Sequence, residues 1–100
     1  MITILGGDPE DWGFIPGFLS EHDPRPAKEQ IHDRQPGGWH PAPPRLTFNP
    51  KTWVLSYPGD PPFEPLSALY FRDEILIVYP GSWVVILQPD KTTWEAARLD

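Results

Sequence analysis

The stretch LSALYFRDEILIVYPGSWVVILQPDKTTWEAARL, residues 66 to 99, decides the fold of this chain. It divides into the apolar runs Leu66–Phe71, Ile75–Tyr79, Trp83–Leu87 and Trp94–Leu99. Strong turn chemistry separates them: Arg72-Asp73-Glu74, Pro80-Gly81-Ser82 and Pro89-Asp90-Lys91. Short apolar runs punctuated in this way are written as an antiparallel β-meander. Ile75–Tyr79 and Trp83–Leu87 are apolar at every position, whereas a strand with one wet face alternates. Both faces of these strands must therefore be covered. A barrel or sandwich interior serves for one face, and the Pro-rich arm or a second subunit for the other.

Proline marks where the meander begins. All but Pro80 and Pro89 of the 15 prolines lie at or before Pro65. Proline lacks a donor and fixes φ, so this half is neither continuous helix nor central sheet. It still carries Trp12, Phe14, Ile15, Phe18, Leu19, Trp39, Phe48, Trp53 and Phe63, too many apolar groups for a solvated tail. Ile2–Leu5 reads as an edge strand. Asp8-Pro9-Glu10-Asp11 and Asp23-Pro24-Arg25-Pro26 each offer an N-cap, a Pro at the first helical position and nearby charge. Ala27–Arg34 is the expected helix, about two turns long, with Ala27 and Ile31 on its docking stripe and a stop at Pro36-Gly37-Gly38. Arg45–Phe48 and Trp53–Tyr57 flank Asn49-Pro50-Lys51-Thr52, whose Asn and Pro suit a type I turn, and form a hairpin.

The expected architecture is one mainly β domain over residues 1–100. A Pro-rich arm (1–44) holds the short helix 27–34, and a β-meander core follows (45–100). The strands number five to six and form a small, strongly bent antiparallel barrel or roll. A chain of 100 residues has room for a single core, and its five Trp, five Phe and three Tyr bury much area from few residues.

Charge and composition exclude several functions. The formal net charge of −6 and eight scattered Lys and Arg argue against general nucleic-acid binding, which needs clustered cations. No Cys is present, so neither disulfides nor thiolates contribute. There is no signal-peptide pattern and no apolar run near the roughly 20 residues that span a bilayer. The expected location is cytoplasmic, with no membrane partner.

The chemistry-bearing residues form no catalytic constellation. Gly6-Gly7 follows a strand in the position of a phosphate-cradling loop, but spaced glycines and a Lys are missing, and turn glycines are the better reading. His22, His32 and His40 stand among Glu21, Asp23, Glu29 and Asp33, yet only Glu29 and His32 share a helical face. Ordinary surface or capping roles are expected, with no metal and no cofactor. Ser20, Ser56, Ser67 and Ser82 lack a nucleophile elbow, and Asp73-Glu74 reads as a solvated turn. Of the five Trp, Trp53, Trp83 and Trp94 fall on strands and belong to the core. Trp39 and His40, next to Gly37-Gly38 in an exposed-looking stretch, and Trp12 are the candidate contact residues. Pro41-Ala42-Pro43-Pro44 reads as a stiff spacer.

Taken together, Asp23–Gln30, Gly37-Gly38-Trp39, Tyr57-Pro58-Gly59-Asp60-Pro61-Pro62, Arg72-Asp73-Glu74 and Ser82–Asp90 resemble a family of small uncharacterised proteins. Tailed bacteriophages and environmental metagenomes encode that family. The likeness runs from about Gly13 to Asp100, with Arg34-Gln35-Pro36 in place of the family's longer Gly-rich loop. It implies a phage origin and carries no catalytic residues over. Ile75–Ile86 also resembles the second signature of Sm-like proteins, ring-forming bent barrels that bind RNA, but Pro80 stands where that signature has Arg. The expected function is a non-enzymatic interaction or assembly module whose partner is a host or phage protein or a second copy. An Sm-like ring binding RNA or DNA is the alternative, and a metal-dependent enzyme the third reading.

Overall fold

A computed structural model describes residues 2–6, 19–20, 22–34 and 37–99. In chain order the elements are β1 (Ile2–Gly6), α1 (Ala27–Arg34), β2 (Trp39–Pro41), β3 (Thr47–Phe48), β4 (Leu55–Ser56), β5 (Ser67–Phe71), β6 (Glu74–Val78), β7 (Trp83–Leu87) and β8 (Trp94–Leu99). The meander forms as the turn residues dictate. Arg72-Asp73 is a two-residue connection between Phe71 and Glu74, with Arg72 left-handed at φ 55°. At the next turn Gly81 takes φ 82° and Ser82 φ 67°, the conformation for which glycine is suited. In the β7–β8 connection the Asp90 carboxylate accepts from the Thr92 and Thr93 amides at 2.9 and 2.7 Å and from the Thr93 hydroxyl at 2.5 Å.

The main sheet is six-stranded and antiparallel throughout, in the order β1-β5-β6-β7-β8-β2. Both edges come from the chain before residue 45. No closed barrel forms among the described residues, because β1 and β2 lie at opposite ends of the order. The expected mainly β domain with one short helix is present, and a second, two-stranded sheet β3–β4 accompanies the six-stranded one.

Strand alternation sorts the core into two layers. On one face, Leu69, Phe71, Leu76, Val78, Val84, Ile86 and Leu99 pack with Ala27 and Ile31 of α1, with Leu19, and with the half-buried Trp39. On the other face, Ala68, Ile75, Ile77, Tyr79, Val85, Leu87 and Ala96 pack under Leu46, Phe48 and Leu55, with Trp53, Trp83 and Trp94 around them. The strands that are apolar at every position are therefore sandwiched between α1 and the β3–β4 hairpin of the same chain.

The hairpin turn follows Asn49 as expected. The Asn49 side chain accepts from the Lys51 amide at 2.9 Å, and the Trp53 amide donates to the Asn49 carbonyl at 2.7 Å. The loop then ends on Trp53 itself, held left-handed at φ 64°. β4 is backed by Phe63, whose amide donates to the Leu55 carbonyl at 2.8 Å. No described helix is long and apolar enough to cross a membrane. The Asp8-Pro9-Glu10-Asp11 turn, Gly7 and Pro36 lie outside the described residues.

Candidate functional site

The sequence points to Trp39 and His40 as candidate contact residues in an exposed-looking stretch. The structure places that stretch in a strand. Both residues belong to β2, which pairs antiparallel with β8: Trp39 with Leu99, His40 with Arg98 and Pro41 with Ala97. Neighbouring residues on a strand point to opposite faces. Trp39 joins the α1 face, as its packing shows, and His40 falls on the hairpin face, so the two cannot form a single surface. The Ala42 amide donates to the Ala96 carbonyl at 3.1 Å. By antiparallel alternation the main-chain groups of His40 then turn to β8, while those of Trp39 and Pro41 turn outward. Pro41, read as part of a spacer, completes an edge strand at the one kind of position where a missing N–H costs the ladder nothing. Trp12 lies outside the described residues.

What surrounds Trp39 is a small mixed-charge surface where α1 meets the edge of the sheet. The exposed His32 ring lies 5.0 Å from the indole, centroid to centroid. Lys28 Nζ sits 5.7 Å from the same ring and bonds to Glu95 of β8 at 2.6 Å. Beside them Arg25, Lys28, Glu29, His32 and Asp33 line a shallow depression of about 360 Å³. The Arg25 guanidinium grips Asp23 at 2.7 Å and Asp33 at 2.5 Å, and these bonds hold its proton more firmly than usual.

A polar knot fixes α1 in place, and the sequence reading missed it. Gln30 is fully buried. Its side-chain oxygen accepts from the Ser20 amide at 2.7 Å, and its Nε2 donates to the Arg25 carbonyl at 2.9 Å. The Arg72 guanidinium donates to the carbonyls of Asp23 and Arg25. Glu74, expected to be solvated, instead starts β6 half-buried and accepts from the Ala27 amide at 3.2 Å and from Gln88 Nε2 at 3.1 Å. A carboxylate from a distant strand thus caps the first turn of the helix, where the helix dipole favours negative charge. Only an i, i+3 pattern on α1 hints at Gln30. Nothing in the local sequence marks Arg72 or Glu74, because the groups by which they hold the start of the helix, the Arg25 carbonyl and the Ala27 amide, each lie 47 residues away.

The remaining candidates do not assemble. His32 is on the α1 face and His40 on the other, and no group of three His, Asp or Glu able to hold a metal occurs among the described residues. The Ser67 hydroxyl is buried, and among the described residues it has no hydrogen-bond partner. The arrangement presents an aromatic flanked by charges of both signs. Comparison with protein-family models, with curated proteins and with solved structures gives no match.

Proposed function

We propose that this chain is a non-enzymatic interaction or assembly module of a tailed bacteriophage, working in the cytoplasm of the infected host. On this reading it docks a phage or host protein through the surface where α1 meets β2. The observation that supports it is the setting of Trp39. Its indole is half-buried against the core, with His32 and Lys28 around it. An aromatic anchor backed by a rigid core and ringed by polar groups is the usual form of an interface hot spot. The ordered motifs from Asp23 to Asp90 support the phage origin.

Site-specific photo-crosslinking in the infected bacterial host tests the reading, with the probe at position 32 and a control probe at Lys51. The expected result is a discrete crosslinked species from position 32 alone. No product, or the same products from both positions, would overturn it. The Sm-like alternative predicts something else: RNA or DNA binding that weakens steeply as salt rises. The net charge of −6 and Pro80 weigh against that alternative.

A further inference from the structure

The sheet has two edges, and the chain treats them differently. β2 is three residues long. One of its outward-facing positions is Pro41, which offers no donor, and Pro43-Pro44 follow at once. A short strand and proline are the means by which soluble proteins blunt an edge against pairing. β1 has neither feature within its own span. It is the five-residue segment Ile-Thr-Ile-Leu-Gly, without charge or proline and rich in residues that favour strands.

The hydrogen-bonding geometry of β1 follows from the hairpin next to it. With a two-residue connection, Phe71 and Glu74 form the closing hydrogen-bonded pair. Alternation then turns the main-chain groups of Tyr70 toward β1, where Thr3 stands opposite. The main-chain N–H and C=O of Ile2 and Ile4 are left on the outer side, and among the described residues no strand pairs with them. The ladder becomes irregular between Ile4 and Gly6, which confines any regular outer pairing to Ile2–Ile4.

We propose that β1 is a self-association edge, where a second copy of the chain pairs antiparallel and joins the two six-stranded sheets into one. Several features favour a second copy as the occupant. Outward groups at Ile2 and Ile4 around a central Thr3 are self-complementary: under a two-fold axis Ile2 of each copy faces Ile4 of the other. An isologous contact of this kind closes on itself. The guarded β2 edge prevents further pairing, so association stops at two copies and does not run into a fibre. Each chain carries a net charge of −6, yet the pairing segment is itself uncharged. The proposal goes beyond the docking role of Trp39 and does not depend on it, since Trp39 lies at the opposite edge.

The test is the solution mass of the full chain by light scattering during size exclusion, over a concentration series, with two variants. The 11.4 kDa chain is expected at twice its mass. Thr3→Lys, which puts a charge at the centre of the pair, is expected to restore the monomer with an unchanged circular dichroism spectrum. His40→Lys, on the guarded edge, is expected to leave the doubled mass intact. Hydrogen exchange provides an independent reading should Thr3→Lys fail to fold. The Ile2 and Ile4 amides of the unmodified chain are expected to gain protection as concentration rises. A monomer at every concentration, a doubled mass that Thr3→Lys leaves unchanged, a doubled mass lost in His40→Lys, or unprotected Ile2 and Ile4 amides would each overturn the proposal.

Discussion

Trp53 closes the β3–β4 hairpin in the left-handed region, at φ 64°, a conformation that costs a side-chain-bearing residue about 1–2 kcal/mol. Tyr79, buried in β6's continuation, donates its hydroxyl to the Trp53 carbonyl at 2.6 Å and so helps hold the strained turn against the sheet. Tyr79→Phe is expected to lower stability by about 1 kcal/mol, read as a fall in the urea midpoint. Burial also raises the Tyr79 pKa above its ordinary value of 10. Its contribution is therefore fully present below about pH 10 and is lost as pH rises through the folded-state pKa. Asp90 behaves oppositely. The Thr93 hydroxyl first, then the Thr93 and Thr92 amides, lower its pKa from 3.8 to about 2. Its contribution is present above about pH 4 and is lost as pH falls toward 2. A carboxyl-carbon NMR titration should place the Asp90 midpoint near pH 2, whereas a midpoint near 4 would mean that the loop is not closed around the carboxylate.

At the scale of elements, α1 shows what sequence can and cannot disclose. Its span, Ala27–Arg34, is legible because proline and glycine signals flank it locally, and Ala27 and Ile31 do form its buried stripe. Asp23, the expected N-cap, accepts instead from the Arg25 amide ahead of the helix. The four meander strands are legible for the same reason, since each turn carries its own chemistry. What holds α1 to the sheet is not legible. Glu74 stands 47 residues from the Ala27 amide that it caps, and Arg72 stands 47 residues from the Arg25 carbonyl ahead of the helix. No spacing rule links residues so far apart. β2 was hidden by its prolines, because an edge strand tolerates Pro41 only through a pairing phase that the sequence does not display. The same phase separates Trp39 from His40, so of the candidate contact surface only Trp39 was legible, and its neighbours His32 and Lys28 came from folding. Glu74→Ala removes the cap and should cost about 1 kcal/mol. Faster amide exchange in Ala27–Gln30 than in β6 and β7 would show it, and unchanged exchange there would contradict the capping role.

The whole molecule answers the question that the two-sided apolar strands pose. Their faces are covered by α1 on one side and by β3–β4 on the other, all from one chain. Val85 is fully buried under the hairpin layer, midway along β7. Val85→Asp buries a carboxylate with no partner and should cost more than about 3 kcal/mol, seen as loss of the cooperative thermal transition. A normal melt would mean that the strand is not central. The arrangement as a whole rests on the order β1-β5-β6-β7-β8-β2, which separates an open sheet covered by its own chain from a barrel closed on itself. The most direct test is a nuclear Overhauser map of cross-strand main-chain protons. The open sheet predicts contacts of Trp39 with Leu99, Pro41 with Ala97, Ile2 with Phe71 and Ile4 with Leu69. Contacts joining β1 to β2 within one chain would contradict it and restore the barrel.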